Sequence, residues 1–218
     1  KILKLDTEIK EYHDYIRNVH RNAWSGGGFG IKGDSMAGYS PYIQNVCTIF
    51  MLLFGVNFSC YYLVLLRRFK SIIKDSELRT YVVLILSSVA LITINISGMF
   101  SSVGQALHHA AFTVSSIITT TGFATEDFNL WPNFSKTIIL MLMFVGACGG
   151  STGGGLKCGR LLIILKSVKR NIRKTLNPRK VEVIRMGGNV VKEEVVSAVN
   201  SYFVAYIVIP KVPNNMKY

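Results

Sequence analysis

The sequence predicts an all-α integral membrane protein, and three observations carry that prediction. Half of the 218 residues are hydrophobic (50%), and the mean hydropathy is positive. The apolar residues come in long blocks instead of amphipathic stripes. Ile43–Leu66 and Thr80–Ser97 contain no charged residue, and each is close to the ~20 residues that cross a hydrocarbon core of about 30 Å as a helix. Finally, the basic residues behind the net charge of +13 gather between the blocks: Arg67, Arg68, Lys70, Lys74 and Arg79 in one connection, Lys157 through Lys180 in another. That is the positive-inside pattern of cytoplasmic loops, and it argues against a phosphate-binding surface for nucleic acid. Several such blocks in a soluble protein of this length would leave too little polar surface to cover them.

Other classes are disfavoured by what surrounds the blocks. Cys47, Cys60, Cys148 and Cys158 form no C-x-x-C and have no partnered histidine at metal spacing. The N-terminus is charged and lacks the apolar core of a cleavable signal. A membrane enzyme needs convergent ionisable groups at membrane depth, and the blocks offer none; His108 and His109 read as residues of a helix end. No enzymatic activity is expected.

Taken in order, residues 1–24 have a weak helical rhythm and many charges, which predicts a surface amphipathic helix. The glycine run Gly26, Gly27 and Gly28 follows, a joint with free backbone angles. Ser40-Pro41 reads as a helix start for a span over 42–66, with a basic loop over 67–79. Thr80–Ser97 returns across the bilayer. The apolar stretch Gly104 to Ile118 is too short to cross and suits a re-entrant segment. It runs into Thr119-Thr120-Thr121-Gly122-Phe123, beyond which Glu126 and Asp127 stand before a third span starting at Phe134. This order places both basic clusters on one face and the two carboxylates on the other.

Non-helical backbone at membrane depth survives only in protein or along a water-filled path. A Thr/Gly turn at the foot of a half-helix can therefore aim carbonyls at a dehydrated cation, or it is a tight turn between two buried helices. An internal repeat favours the first. Gly28-Phe29-Gly30, Asp34, Ser40 and Met51-Leu-Leu-Phe-Gly55 recur in order as Gly122-Phe123-Ala124, Asp127, Ser135 and Met141-Leu-Met-Phe-Val-Gly146. Transport proteins are commonly built from repeats, with the substrate where they meet.

The third span ends in Gly149-Gly150-Ser151-Thr152-Gly153-Gly154-Gly155-Leu156-Lys157. A Walker A loop needs Lys directly after its last glycine and then Ser or Thr; here Leu156 intervenes and Cys158 follows. The cluster reads as an intramembrane hinge or obstructing loop, or as a G-x-x-x-G packing face. Residues 159–180 form a basic amphipathic helix suited to a membrane surface or a cytosolic partner. Gly187-Gly188-Asn189 signals a hairpin, and an apolar helix begins at Val195.

IITTTGFATEDFNLWP, GACGGSTGGGLK, GDSMAGYSPYIQNV, LLFGVNFS and KDSELRTY together resemble the TrkH subunit of bacterial Trk-type potassium uptake systems, whose superfamily also holds KtrB and the plant and fungal Trk/HKT transporters. The resemblance covers about residues 25–209. It implies M1–pore helix–M2 repeats with re-entrant filter loops around one K⁺ path, in a multi-pass protein of the bacterial cytoplasmic (inner) membrane. By resemblance, residues 25–79 are the end of a second repeat, 80–180 a third, and 181–218 a hairpin and the start of a fourth, so the chain is expected to be an internal fragment that does not conduct alone. The implied ion-binding residues are Gly26, Gly27, Gly28, Thr120, Thr121, Gly122 and Phe123, with K⁺ held at Thr120, Thr121 and Gly122. The implied gate is Cys148, Gly149, Gly150, Ser151, Thr152, Gly153, Gly154 and Gly155. The resemblance further implies membrane lipid contact, a homodimer and a cytosolic TrkA-like nucleotide-binding ring, with K⁺ as transported ion, no covalent cofactor and no nucleic acid. A helical membrane scaffold without transport is the alternative.

Overall fold

The computed structural model describes residues 35–177 and 183–208. Residues 1–24 and the glycines Gly26, Gly27 and Gly28 lie outside them. The described chain is helical apart from one small hairpin, and it divides into two compact units, Lys1–Cys158 and Gly159–Tyr218.

In the first unit, α1 (Pro41–Phe54) starts as the sequence predicts, with Ser40 at the N-cap and proline at the first turn. The expected continuous span over 42–66 is corrected by the structure. The chain breaks after Phe54, and α2 (Phe58–Leu65) leaves at 90°. The cause is tertiary. The Tyr81 hydroxyl donates to the Leu52 carbonyl at 3.1 Å and presses so close to Gly55 that any Cβ there would overlap it. Asn57 then caps the new helix by accepting from the Ser59 N–H at 2.9 Å, meeting the need of exposed first-turn donors.

A short helix, α3 (Phe69–Ile73), lies within the basic connection. α4 (Ser76–Ile96) is 21 residues long and capped by Asp75; with the 3₁₀ turn that follows, Ser76–Met99 is long and apolar enough to cross a membrane. Its buried stripe Tyr81, Ile85, Ser88, Ile92 and Ile96 faces the core, while Val83, Leu86 and Ile94 are exposed.

α5 (Val103–Ile118) follows, 16 residues capped by Ser102. At 1.5 Å per residue it is roughly 24 Å long, short of a bilayer. Ala106, Ala110, Val114 and Ile118 recur every four residues and are fully buried. The small side chains let α5 seat closely against α4, as membrane helices require in the absence of a hydrophobic drive between them. α6 (Asn133–Phe144) is 12 residues long and packs through Ile139 and Leu142 into the same core, with Trp131. A second cluster joins α1 to the bend after α5: Ile43, Cys47 and Met51 meet Phe112 and Phe123.

The third expected span is also interrupted: α6 ends at Phe144, and helical structure resumes only at Cys158. The two aligned repeats thus stop at matching phenylalanines, Phe54 and Phe144, each just before its glycine.

The second unit holds most of α7 (Cys158–Leu176), a hairpin of β1 (Arg185–Met186) and β2 (Asn189–Val190), and α8 (Glu193–Val208). Gly187 and Gly188 both have positive φ, 55° and 91°, which a two-residue hairpin turn demands. Arg170 on α7 makes a bidentate pair with Glu193 at 2.7 Å, and the Arg160 guanidinium lies 4.4 Å from the Tyr202 ring centre.

Candidate functional site: the bend after α5 and the glycine loop

At the end of α5 the helical hydrogen bonding tightens and then stops. The Thr119 N–H bonds to Ser115, the Thr120 N–H to Ile117, and the N–H groups of Thr121 and Gly122 both turn back to the Ser116 carbonyl, at 2.8 and 3.4 Å. Thr120 has φ 57° and Gly122 φ 80°. A β-branched residue in the left-handed region is a true outlier, and such strain persists only where the surroundings over-determine it. Here the surroundings do. The Thr119 hydroxyl donates to the Ser115 carbonyl at 2.7 Å and meets the Thr121 hydroxyl at 2.8 Å. The Ser116 hydroxyl reaches across to the Phe123 carbonyl at 2.7 Å.

The carbonyls of the bend divide sharply. Phe123 accepts from Ser116 and Ala124 accepts from the Met36 N–H at 3.0 Å. Among the described residues, nothing donates to the carbonyls of Thr119, Thr120, Thr121 or Gly122. Thr119 and Thr121 pack inward, whereas Thr120 and Gly122 are exposed. Backbone carbonyls in proteins are nearly all paired, so four consecutive ones without a donor among the described residues form an oxygen-rich edge. They lie at the C-terminal, partly negative end of a helix.

The glycine loop abuts this bend. Leu156 donates to Phe144 at 3.2 Å and Cys158 to Ala147 at 3.1 Å, while the Gly146 N–H bonds the Leu156 carbonyl, so the loop leaves and re-enters at one point. Its tip reaches the bend: the Gly154 N–H donates to the Thr120 hydroxyl at 2.8 Å, and a Cβ on Gly153 would sit 3.2 Å from the Thr119 carbonyl oxygen. Gly150 and Gly155 adopt φ of 70° and 74°, conformations that glycine takes without penalty. The loop also fastens to the break between α1 and α2 and to the first turn of α4. The Cys148 N–H donates to Gly55 at 3.0 Å and the Phe58 N–H to Gly150 at 3.3 Å, and the Gly149 N–H donates to Glu77 at 2.6 Å. The Lys157 ammonium turns back into the loop, bonding the Ser151 carbonyl at 3.4 Å and that of Gly153.

The sequence-predicted residues Thr120, Thr121, Gly122 and Phe123 therefore adjoin the loop Cys148–Gly155, and Gly154 touches Thr120 directly. Three participants escape sequence reasoning. Glu77, Phe58 and Lys157 each bond the loop; Glu77 lies in KDSELRTY, Phe58 in LLFGVNFS and Lys157 in GGSTGGGLK, motifs that carry the resemblance without marking these three as loop contacts.

The family model for TrkH, described as a cation transport protein, matches residues 22–215. The chain belongs to the TrkH family. The Trk system potassium uptake protein TrkH of Salmonella typhimurium is 34% identical over 188 residues, covering 84% of this chain and 39% of that protein. TrkG of Escherichia coli K12, also described as a Trk system potassium uptake protein, is 33% identical over 184 residues, covering 83% and 38%. The crystal structure of the potassium transporter TrkH from Vibrio parahaemolyticus superposes with a TM-score of 0.79 at 30% identity, covering 85% of this chain and 41% of that one. The chain thus spans about two-fifths of the length of these TrkH-family relatives. It is an all-α integral membrane chain of that family, as the sequence predicts.

Proposed function

We propose that these residues form part of a potassium-translocating protein of the bacterial cytoplasmic membrane, in which the bend 120–123 is one arm of a carbonyl-lined filter. The observation that carries the reading is the run of four carbonyls, Thr119 to Gly122, that receive no donor among the described residues, at the foot of a helix too short to cross. Carbonyl oxygens there replace part of a cation's water shell, with Thr120, Thr121 and Gly122 supplying them to K⁺. The names of the relatives, Trk system potassium uptake proteins, support potassium as the ion.

In the same reading α5 is a re-entrant pore helix, and the loop Cys148–Gly155 obstructs the path beneath the bend and moves aside on gating. Its contacts with Thr120 and Thr119 support that role. The glycines Gly26, Gly27 and Gly28 serve the preceding repeat. Residues 25–79, 80–180 and 181–218 belong to successive repeats, with the basic segments on the cytosolic face. There they meet a TrkA-like nucleotide-binding ring, and the whole protein is a membrane homodimer.

Rb⁺ uptake by the protein carrying these residues, in cells lacking other potassium uptake, tests the reading. Gly122→Ser puts a side chain at φ 80° and is expected to abolish uptake while the protein still reaches the membrane. Wild-type-like uptake by this variant means that the bend does not contact the ion, and a protein that carries no Rb⁺ at all leaves a helical scaffold in its place.

A further inference from the structure

The segment just beyond the bend is held by two adjacent histidines. His109 Nδ1 lies 3.0 Å from the hydroxyl of the buried Thr125, and its ring stacks on Phe100 with centres 5.1 Å apart. His108 reaches the same segment through a relay. Its Nε2 lies 2.6 Å from Gln44 Oε1; Gln44 Nε2 donates to the carbonyls of Met36 at 2.8 Å and Tyr39 at 3.2 Å; and the Met36 N–H donates to Ala124 at 3.0 Å. Those two donations fix the orientation of the buried Gln44 amide, so its oxygen faces His108 and Nε2 of that ring carries a hydrogen. His108 Nδ1 meets Asn45 Oδ1 at 2.8 Å. One histidine therefore grips Thr125 and the other, through Gln44 and Met36, grips Ala124.

We propose that His108 and His109 are positioning residues that set the filter bend from its outer flank, and that together they make transport fall when the outside is acidified. This rests on the filter reading above. Both rings are half-buried, so protons from water reach them, and histidine changes charge between about pH 5 and 8. Their centres are 5.1 Å apart, edge to face. One proton is accommodated, because His108 is flanked by two amides and that of Asn45 can present either its oxygen or its nitrogen. A second proton sets two like charges against each other at that spacing. Among the described residues, the charged groups acting on the rings are the rings themselves and Glu126, which acts on His109; α1 presents only the amides of Gln44 and Asn45, and the connection before α5 presents Phe100. Glu126 is exposed and offsets the repulsion only in part. The doubly protonated pair separates, the grip on Thr125 or Gln44 loosens, and the carbonyls of the bend lose their spacing.

The test is Rb⁺ uptake against external pH by the protein carrying these residues. Wild type is expected to lose about fivefold between pH 6.5 and 4.5, where the second of two neighbouring, half-buried imidazoles takes up its proton. His109→Gln keeps an amide opposite Thr125 but cannot titrate, and His108→Gln does the same opposite Gln44; each flattens the profile. Thr125→Val leaves both imidazoles in place and cuts the link, and it flattens the profile too. A pH-independent wild type overturns the proposal, as does a wild-type profile in either glutamine variant. Full acid inhibition in Thr125→Val overturns it as well, since that outcome assigns the effect to surface charge. Reduced uptake of the same factor at every pH assigns the histidines a folding role only. Absence of Rb⁺ uptake at all pH values rejects the filter reading itself, and the brace falls with it.

Discussion

Gly146→Ala examines whether the glycine loop is as tightly closed as its hydrogen bonds indicate. A methyl group at this position overlaps the Gly154 carbonyl oxygen and stands 3.1 Å from the carbonyl carbons of Gly154 and Gly155. Carbon–carbon contact is most favourable at about 3.5–4.0 Å, so the segment 153–155 has to retreat. The obstruction is main chain, and no rotamer change relieves it. Neighbouring bonds hold the loop's feet, Leu156 to Phe144 and Cys158 to Ala147, so displacement concentrates at the tip, where Gly154 holds Thr120. Overpacking of this kind costs about 1–3 kcal/mol, which corresponds to roughly a 5–150-fold change in the ratio of closed to open loop. Two measurements read the change. Cys148 and Cys158 are fully buried, and their alkylation by a small maleimide, followed by mass spectrometry, is expected to accelerate by that order. On the gate proposed above, Rb⁺ uptake is expected to rise, because a displaced tip would obstruct less. Unchanged alkylation refutes the packing argument. Faster alkylation with unchanged or lower uptake refutes the role of the loop as a gate.

Other predictions follow from single contacts. Thr120→Val removes the acceptor of the Gly154 N–H, a bond worth about 0.5–1.5 kcal/mol, and is expected to speed Cys148 alkylation several-fold, whereas Thr120→Ser retains the hydroxyl and the wild-type rate. In the second unit, Arg170 holds the Glu193 carboxyl below its ordinary range, chiefly through their hydrogen bonds. A depressed carboxyl contributes above its unfolded value, near 4.3, and the contribution fades as pH falls through the folded value. Carboxyl NMR is expected to show Glu193 titrating late in acid, and Arg170→Gln is expected to return it to the ordinary range; an unchanged titration removes the ion pair as its cause.

What the sequence made legible depended on how local the cause was. α5 and the apolar body of α4 could be read from composition and length, but the charged first turn of α4, Ser76 to Arg79, falls in the stretch that reads as a basic loop. The hairpin turn could be read because Gly187-Gly188 carries its own conformational instruction. The 90° break at Gly55 could not, since its cause is Tyr81, a residue of another helix that looks like any buried tyrosine. At the bend, the Thr-rich run and Gly122 marked a turn, but positive φ at Thr120 goes against its side chain and depends on the network of Ser115, Ser116 and Thr121. The docking of the loop was hidden for the same reason. Glu77, Phe58 and Gly55 are scattered along the chain and meet only through tertiary structure.

The two interrupted helices supply each other's missing backbone partners, Cys148 to Gly55 and Phe58 to Gly150. Inside a bilayer there is no water to stand in for an absent partner. Neither broken helix can therefore reach its mature form during insertion until the other has arrived, and the segment around Gly55 must wait, unfinished, for a stretch synthesised much later. Assembly of this core is thus cooperative between the two broken helices, and a lesion at Gly150 should betray itself first as misassembly around Phe58.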